Sequence, residues 1–313
     1  VEPPSRKYSR VLVTGASGFL GGAVCRAFLA KGHVVHGTWL NHPVPPGVTP
    51  HRVEFIGGTP TGGWLEAFSR AAPDLVVHLA APVQPERNPA DANLASAIVG
   101  GTRQVAASCL AAGTRLLVAG TCDEYGEGSA PFVEDQPPQP VSPYSEAKAQ
   151  ATAEVLEQIQ HEGLCATVVR PFLTYGPGQR GPRLVPSAID AALSRSSFSM
   201  TDGTQTREFT HVDDMARALV SACAPEAVGL LLNLGSGDEH AVQHVVQRIF
   251  ALCNAPLSLV QAGNLPRRQG ELDRFVGDHR RARSALSFRP RVPLEEGLQH
   301  TIDARRGHAA AAG

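Results

Sequence analysis

Arg10-Val11-Leu12-Val13-Thr14-Gly15-Ala16-Ser17-Gly18-Phe19-Leu20-Gly21-Gly22-Ala23 is the stretch whose reading decides the fold. Val11, Leu12 and Val13 make the short apolar run of a strand buried on both faces. Gly15, Gly18 and Gly21 follow at three-residue spacing, and the pattern then turns helical through Leu29. A strand, a glycine turn and a helix in that order form a phosphate site. Glycine lets the backbone turn sharply and approach a pyrophosphate, and the free N–H groups at the helix start attract negative charge. The residues expected to hold a dinucleotide here are Gly15, Ser17, Gly18, Phe19, Leu20 and Gly21.

The 313 residues around this stretch suffice for one large domain or two intimate ones. The 28 basic and 29 acidic residues leave a formal charge of −1, with no basic stripe for nucleic acid and no acidic tail. Cys25, Cys109, Cys122, Cys165, Cys223 and Cys253 are scattered without a C-x-x-C pair, which reads as reduced thiols. The opening VEPPSRKYSR is polar and proline-containing, unlike a signal peptide. The apolar run at 75–83 is broken by His78 and Pro82 and is too short to span a bilayer. The expectation is a soluble cytoplasmic protein.

After the first helix, residues 34–38 read as a second parallel strand. NAD enzymes usually place a carboxylate at its end to bond the ribose, and that charge repels a 2′-phosphate. Here Gly37-Thr38-Trp39-Leu40-Asn41-His42 contains no acid. NADP(H) is therefore favoured and NAD(H) stays open. Thr38, Asn41, His42 or the later Arg52 are candidates for the phosphate, and Trp39 either stacks near the adenine or packs internally. Residues 43–50 form a proline-rich loop, 52–55 a third strand and 75–81 a fourth, ending in Leu79, Ala80 and Ala81. His78 reads as a core histidine. A helix over 90–112 stops at Gly113.

Residues 115–119 form the fifth strand, which leads into Gly120-Thr121-Cys122-Asp123-Glu124-Tyr125-Gly126. A helix begins near Ser142-Pro143 and carries Tyr144 and Lys148, four apart and so on one face. A phenol with a pKa of roughly 10 is a poor acid near neutrality, and an adjacent ammonium is expected to lower it. Thr121 is placed to polarise a substrate oxygen. Thr121, Tyr144 and Lys148 form the expected catalytic set. Cys122 has no histidine partner in sequence and reads as an inert thiol. His240 and His244 sit four apart on an expected helix, yet no third ligand is evident, so no metal is expected.

TGASGFLG with Thr14 in front, followed by Thr121 and the Tyr144/Lys148 pair, resembles the short-chain dehydrogenase/reductase superfamily. The resemblance is greatest to its extended branch, the NAD-dependent epimerase/dehydratase family, and runs from Arg10 to about Asp303. It implies an α/β fold: a Rossmann-type doubly wound parallel sheet with a smaller mixed α/β C-terminal substrate domain. The implied division is a flexible tail over 1–8 and a dinucleotide domain over 9–172, partly rejoined by 208–255. Substrate segments then cover 173–207 and 256–305, and a second flexible tail 306–313. It also implies that Trp39, Asn41, His42, Leu79, Ala80, Ala81, Tyr144, Lys148 and Pro171 touch the cofactor. A sugar nucleotide would meet Cys122, Asp123, Arg183, Arg207 and Arg268, the two later arginines gripping the diphosphate. The alternative for Arg267-Arg268 is an exposed arginine pair.

Several positions depart from the family pattern. Gly57-Gly58 replace an acid after the third strand, Ile98 an asparagine, and Leu173 a sugar-contacting asparagine. The family's 4,6-dehydratases carry Asp and Glu directly after the Thr, where this chain has Cys122 and Asp123, although Asp123 and Glu124 can still line the pocket. The resemblance thus points most to an NADPH-dependent ketoreductase of a nucleotide-linked 4-keto-6-deoxyhexose. A sugar-nucleotide 4-epimerase that retains NAD, or a catalytically silent NADP-binding regulatory subunit, are the alternatives. A homodimer through helices at 90–112 and 144–161, and substrate loops at 84–91 and 178–183, complete the expectations.

Overall fold

Seven strands lie side by side in one wholly parallel sheet, ordered β11-β6-β5-β4-β1-β2-β3. The computed structural model describes residues 8–54, 63–82, 92–267 and 270–312. In chain order its first half runs β1 (Arg10–Thr14), α1 (Phe19–Ala30), β2 (Val34–Trp39), β3 (Thr49–Arg52), α2 (Trp64–Ala71) and β4 (Leu75–His78). Next come α3 (Ala92–Ala95), a π turn (Ser96–Gly100), α4 (Gly101–Ala112), β5 (Arg115–Ala119), α5 (Pro143–His161) and β6 (Ala166–Pro171). The second half runs β7 (Thr174–Tyr175), α6 (Leu184–Leu193), β8 (Phe198–Ser199), β9 (Thr206–Glu208), β10 (Thr210–His211), α7 (Val212–Ser221) and β11 (Leu231–Leu234). It ends with β12 (Glu239–Ala241), α8 (Val242–Leu252), β13 (Val260–Gln261), β14 (Arg274–Phe275), α9 (Arg280–Leu286) and α10 (Leu294–Ala312).

The apolar run of β1 shows how the layers form. Val11 and Val13 face a core shared with α1, α7 and α9, while Leu12 faces the opposite core under α2, α4 and α5. Both sheet faces are covered, which is why the central strands are apolar throughout rather than alternating. A separate core joins α6, α8 and α10 around Phe250, Ile249 and Leu298. An aromatic cluster of Tyr125, Phe132, Phe172 and Phe275 wedges the small β12-β9-β14 sheet against the turn after β5. That wedge brings residues distant in sequence to the C-terminal ends of the strands.

Four expectations need correction. The third strand is Thr49–Arg52, earlier than 52–55 and inside the segment read as a proline loop. It pairs His36 with Thr49 through Trp39 with Arg52 at the sheet edge, where a proline is tolerated because one side of the strand needs no partner. The expected helix at 90–112 contains a π turn at Ser96–Gly100. Tyr8 is no tail: its hydroxyl donates to Cys223 O at 2.7 Å, against the α1–α7 layer. Residues 306–312, read as a flexible tail, continue α10. Among the described residues no helix is long and apolar enough to cross a membrane.

Candidate active site

The glycine turn is built by contacts that leave no room for side chains. Gly15 has φ +69°, and a Cβ there would lie 3.0 Å from the Ala80 backbone. A Cβ on Gly21 would collide with the Gly15 carbonyl oxygen. Helix α1 starts at Gly18 with no side-chain cap and no acid in its first turn, so its leading N–H groups face outward for an anion. The Thr38 hydroxyl accepts from Gly15 N at 3.1 Å and the Thr38 carbonyl from Ala16 N at 3.0 Å. Thr38 is buried, so it braces the turn and drops out as a phosphate contact. Trp39 is half-buried, and Asn41 and His42 are exposed at the same strand end. The uncapped helix start and a turn bare of side chains fit a dinucleotide pyrophosphate.

The neighbouring strand end is fixed by a buried relay. Thr14 Oγ1 accepts from Leu79 N and Ala80 N, each at 3.1 Å. Its own proton therefore goes to His78 Nδ1 at 2.8 Å, and His78 Nε2–H donates to Thr102 at 3.2 Å. Burial, and then the charge of Lys148, push His78 down to about 3, which keeps it neutral. It positions Leu79, Ala80 and Ala81, all half-buried, beside the glycine turn.

Thr121, Tyr144 and Lys148 come from the turn after β5 and the start of α5, which pack together. Helix α5 begins with Ser142 and Ser145 capping each other and Pro143 at its first position. Thr121 Oγ1 accepts from Asp123 N at 3.2 Å, and its side chain also hydrogen-bonds with the Cys122 thiol. The Lys148 ammonium is buried and donates to Ala119 O at 2.7 Å. Burial pushes Lys148 down to about 8, against the opposing pull of Glu124. Tyr144 differs from expectation: burial first, then Asp123, Cys122 and Glu124, raise its pKa above the phenol's usual 10, against the opposing pull of Arg183. The Lys148 ammonium turns to Ala119 O on β5, and burial dominates at the phenol.

Glu124 does not line the pocket. Its carboxylate is fully buried and accepts from Thr121 N at 2.8 Å, Thr152 Oγ1 at 3.1 Å and Arg170 Nε at 2.8 Å. Asp123 is exposed, whereas Cys122 is buried with its thiol pushed well up by burial and by Asp123 and Glu208. Arg207 is bonded to Glu271 at 3.1 Å and to its neighbour's carbonyl, with Phe275 beneath it. Arg183 is exposed at the start of α6. Pro171 and half-buried Leu173 flank the end of β6. Arg268, Gly57, Gly58 and the 84–91 loop lie outside the described residues. His240 belongs to β12 and His244 to α8, so the pair spans two elements instead of one helix turn.

Two buried contacts near the site join segments distant in sequence. Glu208 Oε2 pairs with His279 Nε2 at 2.7 Å and accepts from Gly237 N at 2.9 Å. Burial disfavours charge on His279, yet the bond and charge of Glu208, with the Asn233 carbonyl, hold its pKa above 6.5. Asn233 accepts from the Tyr125 hydroxyl at 2.7 Å. Neither contact has a sequence spacing to announce it. The Thr121-x-x-Glu124 clamp does, being the capping-box spacing.

The sequence pattern of the NAD dependent epimerase/dehydratase family matches residues 11–235. The chain is 30% identical over 308 residues to UDP-glucose 4-epimerase of Mycolicibacterium smegmatis, covering 94% of this chain and 97% of that one. It is 28% identical over 306 residues to GDP-6-deoxy-D-mannose reductase of Pseudomonas aeruginosa, covering 93% and 95%. The crystal structure of Thermus thermophilus UDP-glucose 4-epimerase in complex with NAD superposes with a TM-score of 0.85 at 26% identity, covering 95% and 99%.

Proposed function

Because this chain belongs to the NAD dependent epimerase/dehydratase family, we propose that it is an NADPH-dependent ketoreductase acting on a nucleotide-linked 4-keto-6-deoxyhexose. More coarsely, it is an NAD(P)-dependent enzyme of the extended short-chain dehydrogenase/reductase type. The inward turn of Glu124 carries the choice of reaction. Eliminating water from a hexose needs an acid and a base in the pocket, and the turn offers only Asp123 and a buried, protonated thiol. Reduction needs one proton donor, and burial keeps Tyr144 protonated.

A reduced nicotinamide bound at the glycine turn supplies the hydride. Thr121 polarises the C4 oxygen, Tyr144 gives it a proton, and Lys148 is the buried cation that supports the resulting phenolate. Arg207, released from Glu271, and Arg183 take the diphosphate, with Arg268 a further candidate. Cys122 and Asp123 border the sugar. The absence of an acid over 37–42 leaves Asn41, His42 and Arg52 for a 2′-phosphate. The same residues would serve an epimerase that retains NAD, and the Mycolicibacterium relative is a UDP-glucose 4-epimerase.

Cofactor behaviour separates the two. Purified protein should arrive free of nicotinamide and bind NADPH at least about tenfold more tightly than NADH, the worth of one charge-assisted phosphate contact. It should then oxidise NADPH only when a nucleotide 4-ketosugar is added. Protein that arrives with tightly held NAD and ignores NADPH sinks the reductase and promotes the epimerase. The α4–α5 face, where Ala95, Ser96 and Gly100 lie beside Arg103 and Gln150, is our choice for a homodimer contact. A monomeric mass in sedimentation would remove that part.

A further inference from the structure

The Glu124 carboxylate joins the two elements that carry the expected catalytic set, the turn after β5 and α5, to β6. Its Oε1 takes the Thr121 N–H and the Thr152 hydroxyl, and its Oε2 takes Arg170. Thr152 lies one turn beyond Lys148 on the same face of α5. Helix α5 is therefore tied to the end of β5 at consecutive turns, by Lys148 to Ala119 O and by Thr152 to Glu124. Gly120 between them is obligatory in space, since a Cβ there would collide with Glu124 Oε1 and lie 2.9 Å from Thr152 Oγ1. A fully buried carboxylate is unfavourable unless its oxygens are satisfied, and here every partner is a donor.

We propose that Glu124 is a positioning residue: its carboxylate fixes the Thr121 turn against α5 and supplies the buried negative charge that favours Lys148 as an ammonium. This rests on the roles given above to Thr121 and Lys148. The charged surroundings are few. Arg170 of β6 holds the far oxygen of Glu124 and lies 4.5 Å above the Tyr125 ring. Cys122 and Asp123 belong to the same turn, Tyr144 to α5, and Glu208 of β9 acts on Cys122. His78 of β4 faces Lys148 but is neutral. Glu124 is thus the group whose charge opposes the effect of burial on Lys148.

The chain has only three lysines, Lys7, Lys31 and Lys148. Carbon-13 lysine labelling of the full protein therefore gives three side-chain resonances, and Lys148→Met identifies the one sought. Its titration should centre near 8 in the wild type and shift to lower pH in Glu124→Gln, which keeps the shape and removes the charge. The alkaline limb of the rate profile should move with it. Glu124→Asp keeps the charge but falls short of its three donors, so kcat should drop while the Lys148 midpoint stays. Thr152→Val loses one hydrogen bond without a charge change, and should lower kcat about 2- to 10-fold. An unmoved midpoint in Glu124→Gln overturns the electrostatic half. Unchanged kcat in both Glu124→Asp and Thr152→Val overturns the positioning half. The titration needs no substrate, so a shifted midpoint without turnover of any ketosugar would uphold the electrostatic half and reject the reductase.

Discussion

Replacing Tyr144 by Phe should lower turnover of the proposed nucleotide ketosugar by about 10²- to 10⁴-fold, the usual contribution of a positioned proton donor. The change removes one oxygen and leaves the ring among Leu94, Ile98, Val99, Ala147 and Ala151. The melting midpoint and dinucleotide affinity should therefore stay near those of the wild type. No neighbour can take over the proton. Cys122 is buried, Asp123 is an exposed carboxylate, and Lys148 donates to Ala119 O and is needed as an ammonium. The pH dependence gives a second check. Lys148 has its pKa lowered to about 8, so its charge is present below that value and lost as pH rises through it. Wild-type turnover should fall across that window, and the residual rate of Tyr144→Phe, with no phenolate to support, should not follow. Activity within threefold of wild type would end Tyr144's candidacy as the proton donor.

What the sequence reveals depends on whether a contact has a local signature. The strand–glycine–helix unit at 10–29 is legible because its apolar run and glycine spacing are set by backbone geometry. Strand β3 is not, because an edge strand is held by its ladder to β2 and Thr49, Pro50 and His51 show no apolar pattern. Thr38 looks like a ligand contact from its place at the end of β2, but its hydroxyl is consumed by a glycine 23 positions earlier. Glu124 carries a readable capping spacing, yet its acidity beside Thr121 suggests a pocket residue. Only the fold reveals that Arg170 and Thr152 draw it inward. The Glu208–His279 pair spans 71 positions and has no pattern to read.

Gly21→Ala should abolish the dinucleotide site while its neighbour Gly22→Ala leaves it intact. The contrast isolates packing from helix preference, because both lie in α1 and alanine favours a helix by about 1 kcal/mol over glycine. At Gly22 the new Cβ would come no closer than 3.5 Å to anything, meeting first the movable end of Arg26. That variant should melt slightly higher and bind NADPH as the wild type does. At Gly21 the new Cβ would run into the Gly15 carbonyl and come within 3.1 Å of Ala16 Cα, both backbone and unable to swing aside. Relief requires α1 to lift from the turn, which costs roughly 1–3 kcal/mol of stability by overpacking. The lift also drags the leading N–H groups of α1 away from the phosphate. Each charge-assisted hydrogen bond lost is worth about 1.5–3 kcal/mol, or roughly 10- to 100-fold in affinity. Calorimetric titration with NADPH and thermal melts of the two variants decide the matter. Wild-type affinity in Gly21→Ala would mean that the pyrophosphate does not rest on this helix start, and the reading of 10–23 as the organising stretch would fall with it.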